Sequence, residues 1–141
     1  MSPASHPDHE AIIEAMLLAA AADGEISKVE LEVIFARIFS RPEFSRYEKN
    51  HLRETVEKCA LRLGKARSLN ALCESLAERL ETITGRELAF RCAAAVAMAD
   101  HGADSRELAA LKALQAAFGL TDARVQSLFE LASSEIPEVP R

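Results

Sequence analysis

The chain has 141 residues, of which 49% are hydrophobic, 28% are charged and only 5% are aromatic, and its formal net charge is −5 at pH 7. A chain of this length fits one domain with one sizeable hydrophobic core. The acidic balance argues against a dedicated nucleic-acid-binding protein, whose affinity depends on cations that neutralise phosphates. Because glycine and proline are few, long elements are seldom interrupted, and the composition favours an all-α fold.

Apolar residues recur at helical spacing along most of the chain, and signals that start or stop helices lie between the apolar stripes. Ser27 and Glu30 form a Ser-x-x-Glu capping box, and Gly119 is placed to end a helix. The seven predicted helices run from about Asp8 to Asp23, Ser27 to Arg41, Ser45 to Gly64, Ser68 to Thr84, Arg86 to Ala99, Asp104 to Gly119, and Thr121 or Asp122 to Ala132.

These elements predict one compact, single-domain all-α bundle over residues 9–132. Residues 1–8 contain two prolines and two serines and are expected to form a flexible N-terminal arm. Residues 133–141 are expected to form an irregular C-terminal tail. The fifth helix is almost entirely apolar from Cys92 to Ala99, which predicts that it lies at the centre of the bundle.

One acidic stretch occurs twice. Residues Ala22 to Glu30 have the sequence Ala-Asp-Gly-Glu-Ile-Ser-Lys-Val-Glu, and Ala99 to Glu107 have the less regular sequence Ala-Asp-His-Gly-Ala-Asp-Ser-Arg-Glu. Asp23 of the first copy corresponds to Asp100 of the second, 77 positions later (100 − 23). The same offset relates three further pairs: Glu30 and Glu107, Glu10 and Glu87, and Leu31 and Leu108. The pattern predicts a duplicated helix-loop-helix.

The first copy resembles the motif Ala-Asp-Gly-x-(Ile/Val)-x-x-x-Glu of TerB-like proteins, small helical domains named for a bacterial tellurite-resistance protein. Its Asp23, Gly24, Ile26 and Glu30 all match. The second copy keeps Asp100 and Glu107 but has His101 in place of the glycine and Ala103 in place of the branched aliphatic residue. The resemblance covers about His9 to Ala132.

The resemblance implies a tellurite-resistance or stress-associated domain whose acidic residues bind divalent cations. The implied ligands are Asp23, Glu30, Asp100 and Glu107. Asp104 is added on chemistry alone, as a further carboxylate in the second loop.

Helix capping is a competing interpretation of the same loops. Ser27 or Asp104 can accept hydrogen bonds from free amides at a helix start, and Glu30 or Glu107 can return one. Capping then explains these four residues without a bound cation, because acidic side chains also suit the positive end of the helix dipole. Capping does not explain Asp23 and Asp100, which lie four residues before the caps.

The spacing of Asp23, Gly24 and Glu30 is that of positions five, six and twelve of an EF-hand loop. Positions one and three of the loop are alanines in the first copy and Val96 and Met98 in the second. Because none of these side chains supplies an oxygen, neither loop forms a full oxygen cage by itself. A partial site, or one site shared by both loops, would bind calcium, magnesium, manganese or zinc with a dissociation constant on the order of 10⁻⁴ to 10⁻³ M. His101 is either a further ligand that would turn the second site toward zinc or another transition metal, or simply an exposed loop histidine.

Basic residues are concentrated in the middle of the chain and are interspersed with glutamates. They form either a solvated face or a surface for an anionic partner. The residues concerned are Arg37, Arg41, Arg46, Lys49, Arg53, Lys58, Arg62, Lys65 and Arg67. Cys59, Cys73 and Cys92 lie on apolar stripes without the spacing of a disulfide framework or a zinc site, so buried reduced thiols are expected.

No nucleophile motif or glycine-rich phosphate loop indicates an enzyme. No segment has the pattern of a signal peptide or the length of a membrane span, so a cytoplasmic protein is expected. The sequence thus predicts a non-enzymatic interaction module that binds divalent cations weakly and has an unidentified protein partner. The alternative is a metal-independent structural or adaptor bundle that binds a protein partner or the inner membrane surface. The sequence leaves the oligomeric state open.

Overall fold

The computed structural model describes residues 5–20, 28–40, 44, 48–65, 68–98 and 105–135. Over these ranges the chain forms α-helices and no strand, which confirms the predicted all-α bundle of seven helices. The helices are α1 (Ser5–Ala20), α2 (Lys28–Ser40), α3 (Lys49–Lys65), α4 (Leu69–Arg79), α5 (Ile83–Met98), α6 (Ser105–Phe118) and α7 (Asp122–Glu135).

Two helices form the centre of the bundle, and the contact between α1 and α5 is more extensive than that between any other pair of described helices. Residues 11–19 of α1 and 92–97 of α5 are buried throughout. Both stretches are rich in alanine, whose small side chain allows helix axes to approach closely. The sequence predicted that α5 is central but that only one face of α1 is buried. In the structure α1 is surrounded as well, because its residues 11–19 are apolar except for Glu14.

The two halves of the bundle repeat the same packing. In the first half α2 and α3 pack on α1, and in the second half α6 and α7 pack on α5. The first residues of α2 and α6, Lys28 and Ser105, are 77 positions apart (105 − 28), the offset of the sequence motif. Helix α4 packs on α6 and α1 and has no counterpart after α7 among the described residues. The sequence repeat is therefore also a repeat of structure.

The break between α4 and α5 lies at residues 80–82, so the predicted break at Thr84 and Gly85 was wrong. Thr82 caps α5, because its Oγ1 accepts a hydrogen bond from the Gly85 amide at 3.0 Å. Its carbonyl accepts one from the Arg86 amide at 3.1 Å. Gly85 thus lies in the first turn of α5, where the cap determines the helix start.

Three other helix ends differ from the prediction. Helix α1 begins at Ser5 instead of near Asp8, since a proline, here Pro7, is tolerated in the first turn of a helix. Helix α3 begins at Lys49 instead of near Ser45, and α7 continues three residues into the predicted tail. Residues 1–4 of the predicted arm and 136–141 of the tail lie outside the described ranges.

The connection between α6 and α7 was predicted correctly. Gly119 has a φ of 73°, a left-handed conformation that glycine adopts without a steric penalty. The amide of Leu120 donates to the Gln115 carbonyl at 3.1 Å, the bond that closes a Schellman motif. Thr121 then caps α7, since its Oγ1 accepts a hydrogen bond from the Arg124 amide at 3.1 Å.

Arg86 joins three helices at one end of the bundle. Its guanidinium group donates to the carbonyls of Ala77 and Leu80 at 2.8 Å each, at the end of α4. It also donates to the carbonyl of Phe118, the last residue of α6, at 3.4 Å. Carbonyls in the last turn of a helix lack partners within the helix, and the negative end of the helix dipole favours a cation there. Arg86 therefore stabilises the ends of α4 and α6 from the first turn of α5.

Replacing Arg86 with methionine should lower the free energy of unfolding by about 2–4 kcal/mol, because it removes two short charge-assisted hydrogen bonds and one longer one. Urea denaturation followed by circular dichroism measures the loss. Lys112→Met, at an exposed position of α6, is the matched control and should change stability by less than about 0.5 kcal/mol. Equal stability of the two variants would show that Arg86 does not join these helices.

Candidate functional site

The first acidic loop connects α1 to α2, and the second connects α5 to α6. Of the predicted cation ligands, Asp23, Asp100 and Asp104 lie outside the described residues, as does His101. Glu30 and Glu107 lie within helices, each at the third residue. The structure therefore places these two glutamates at equivalent positions of α2 and α6.

The third position of a helix is where a glutamate closes a capping box. It is also close to the positive end of the helix dipole, which favours a carboxylate. The observed register agrees with the capping interpretation of Glu30 and Glu107, and it is compatible with a ligand role for their carboxylates. Among the described residues, no group of three or more histidine, cysteine, aspartate or glutamate side chains could hold a metal ion.

The described side chains form a charged cluster around one buried carboxylate, which we call the Glu14 cluster. It joins α1, α3 and α4 and consists of Glu10, Glu14, Lys58, Arg62 and Arg79. Glu14 is 1% exposed, and its Oε1 accepts hydrogen bonds from Arg62 at 2.7 Å and from Arg79 at 3.0 Å. A buried carboxylate is costly unless cations and hydrogen bonds compensate it, and these two arginines do so.

Glu10 lies one helical turn before Glu14 and faces the same helix, α3. Its Oε2 is 3.1 Å from both Lys58 Nζ and Arg62 Nη2. Burial raises the pKa of Glu10, but hydrogen bonds from Lys58 and Arg62 outweigh this effect, so the pKa is lowered overall. Burial lowers the pKa of Arg62, but the charge of Glu14 and the hydrogen bond to Glu10 outweigh it, and the pKa is raised. Both shifts show that the pair is held in its ionised form.

The second half of the bundle contains an ion pair at the glutamate that corresponds to Glu10. Glu87 of α5 accepts two hydrogen bonds from Arg124 of α7, at 2.7 and 2.8 Å. Glu87 corresponds to Glu10 in the sequence repeat, and α7 corresponds to α3 in the packing. The glutamate is thus repeated, whereas its partner is not, because Arg62 lies near the end of α3 and Arg124 in the first turn of α7. Among the described residues, Glu14 is the one buried carboxylate.

Sequence reasoning missed the Glu14 cluster. It assigned Lys58 and Arg62 to a solvated face or an anionic partner surface, whereas the structure pairs both with α1. Arg53 pairs with Glu32 of α2 in the same way, at 2.6 Å. Arg41, Arg46 and Arg67 lie outside the described residues. The available signal was Glu14, the only charged residue in the apolar run 11–22, because a lone charge on a helix that is apolar all round needs a buried partner.

The three cysteines are buried and form no disulfide, as predicted. Burial raises the pKa of Cys59 to about 12 and that of Cys73 to about 11. The thiol of Cys59 donates to the backbone carbonyl of Glu10 at 3.9 Å. Because the thiolate is the reactive form, a raised pKa makes Cys59 and Cys73 unreactive near neutral pH.

Replacing Glu14 with alanine should lower the free energy of unfolding by about 2–4 kcal/mol, because Arg62 and Arg79 lose their shared carboxylate in a largely dry site. The value is below that for two fully buried charges, since both arginines keep some contact with solvent. Chemical denaturation measures it. Glu14→Gln should cost less, because its amide oxygen still accepts hydrogen bonds. Glu54→Ala, at an exposed position of α3, is the control. If the Glu14→Ala protein were as stable as this control, the Glu14 cluster would not stabilise the fold.

The contribution of Glu10 should depend on pH. Its pKa in the folded protein lies below the ordinary value of 4.5, so the ionised pair stabilises the fold fully above about pH 4.5 and is lost as the pH falls through the folded pKa. Glu10→Gln should therefore destabilise the protein by about 1 kcal/mol at pH 7. The difference should disappear in acid. Denaturation curves of both proteins between pH 7 and pH 3 measure the difference in the free energy of unfolding. A difference that stays constant with pH would show that Glu10 does not stabilise the fold as an ionised group.

Comparison with known proteins agrees with this architecture. No curated protein and no solved structure matches the chain. The sequence model of the family described as tellurite resistance protein TerB matches residues 9–130, which include both acidic loops and at least part of all seven helices. Because the match covers well over half of the chain, this protein belongs to the TerB family.

Proposed function

We propose that this tellurite-resistance-associated helical domain binds a divalent cation weakly at its two acidic loops and acts as a cytoplasmic interaction module. The ligands in this proposal are Asp23, Glu30, Asp100, Asp104 and Glu107, with calcium, magnesium, manganese and zinc as the candidate cations. The two loops form either two sites or one shared site.

The observation that carries the proposal is the position of the aspartates relative to the repeated helices. Asp23 and Asp100 correspond in the repeat, yet each lies four residues before the predicted N-cap of the following helix, Ser27 or Asp104. Capping therefore accounts for Glu30 and Glu107 and leaves the two aspartates unexplained. Carboxylate oxygens are the ligands that hard divalent cations prefer.

The helix register also supports weak rather than tight binding. The N-terminal turn of a helix carries a partial positive charge, which opposes a cation held beside it. A cation there depends on several carboxylates to outweigh this charge. The first loop offers Asp23 and Glu30, and the second offers Asp100, Asp104 and Glu107. Few ligand charges are typical of sites with dissociation constants on the order of 10⁻⁴ to 10⁻³ M.

For the interaction role, the structure favours a protein partner over an anionic membrane surface. Three of the nine basic residues that would contact such a surface, Arg53, Lys58 and Arg62, form ion pairs within the chain. None of the described helices is long and apolar enough to cross a membrane.

Thermal unfolding tests the cation site directly. The melting temperature is measured with a chelator and then with about 10 mM of each cation, about 100 times a dissociation constant of 10⁻⁴ M. Binding at that ratio adds about 2.7 kcal/mol and should raise the melting temperature of the wild type by about 2–8 °C. The Glu30→Gln/Glu107→Gln variant should show little shift, because glutamine preserves a capping box and removes ligand charge.

The matched control is Glu54→Gln/Glu57→Gln, which removes the same charge from exposed positions of α3. It should keep the wild-type shift. A shift that all three proteins share would place the cation elsewhere, and no shift in any of them would contradict the proposal and leave the loops as helix caps.

A further inference from the structure

The outer face of α6 is more apolar than those of the other helices on the surface. Within 108–118, one of the four exposed residues is polar, whereas six of the seven exposed residues within 49–63 of α3 are polar. The four residues of α6 are Leu108, Ala109, Lys112 and Ala116. The solvent-facing side of a bundle helix is normally polar, and an apolar patch on a surface marks a contact with another protein.

The neighbouring helix α4 continues this surface and carries the opposite charge. It packs on α6, and its exposed side includes Ala71 and Glu74. Neither Lys112 nor Glu74 forms an ion pair with another residue that the structure describes. We call these two residues, together with Ala71 and the apolar residues of the α6 face, the α4–α6 surface. A cation on one helix and an anion on the next allow such a surface to complement a second copy of itself.

Arg86 shows how α4 and α6 are aligned. Its guanidinium group donates to the carbonyls of Leu80, at the end of α4, and of Phe118, at the end of α6. The two packed helices therefore run in the same direction and end at the same level. Glu74 lies six residues before Leu80 (80 − 74). Lys112 also lies six residues before Phe118 (118 − 112). At 1.5 Å per residue, both charges lie about 9 Å from the common end of the helices.

We propose that the α4–α6 surface is the interface of a homodimer in which α6 of each protomer packs on α4 of its partner. A two-fold axis parallel to the helices produces this arrangement and places residues of equal height opposite each other. Lys112 of each protomer then meets Glu74 of the other. Ala109 and Ala71 are also level, nine residues before Phe118 and Leu80 (118 − 109 and 80 − 71), and small side chains allow the two helices to approach closely.

The dimer goes beyond cation binding and does not depend on it. An interface of two short helices per protomer is small, so a dissociation constant on the order of 10⁻⁵ M is expected. Sedimentation velocity between about 1 µM and 1 mM should therefore show the mass rising from that of the monomer towards twice that value.

Charge reversal tests which surface forms the dimer. Lys112→Glu and Glu74→Lys each place like charges opposite each other at both symmetric contacts, and each should raise the dissociation constant at least tenfold. Glu54→Lys makes the same change of charge as Glu74→Lys at an exposed position of α3, and it should leave the dissociation constant unchanged. All three positions are exposed, so the variants should fold, and circular dichroism checks this.

A mixture of Lys112→Glu and Glu74→Lys gives the sharpest test. In the mixed dimer each contact again joins opposite charges, so the mixture should associate within about threefold of the wild-type dissociation constant although neither variant associates alone. A wild type that stays monomeric up to about 1 mM would overturn the proposal and leave the α6 face to a different partner. So would a mixture that stays monomeric, or self-association that both variants retain, because the dimer would then use another surface.

Discussion

The fold depends on a charged residue at its centre. Helix α1 is buried throughout 11–19, and Glu14 is the one charge in that stretch. A carboxylate in such a place is tolerated only when cations satisfy it, and the arginines that do so come from two other helices, α3 and α4. The requirement to neutralise Glu14 therefore fixes where both helices lie against α1. The apolar contact between α1 and α5 then joins this arrangement to the second half of the bundle.

Three helices of the second half correspond to helices of the first half, and α4 is the exception among the described residues. Glu87 corresponds to Glu10 and likewise pairs with an arginine of another helix, and α6 and α7 pack on α5 as α2 and α3 pack on α1. Helix α4 has no counterpart among the residues that the structure describes, and it packs across to α6.

Local signals in the sequence predicted the parts of the structure that depend on neighbouring residues. The helix count, the end of α6 at Gly119 and the cap at Thr121 all follow from residues within one turn. Contacts between distant residues were missed, because Glu14 meets an arginine 65 positions away and no spacing rule connects them. The break before α5 was misplaced for a local reason: a threonine cap outweighed a glycine. The prediction of the acidic loops rests on the motif and the family, and Asp23, Asp100 and Asp104 lie outside the described residues.

The most direct test of the central claim is a calcium titration of ¹⁵N-labelled protein followed by NMR. Weak binding at the acidic loops predicts that the amides of residues 21–30 and 99–107 shift progressively and saturate at a calcium concentration on the order of 10⁻⁴ to 10⁻³ M. Amides along α4, whose exposed face carries Glu74 and Glu78, should stay in place. Shifts confined to α4, or none up to about 10 mM calcium, would contradict a cation site at the repeated loops.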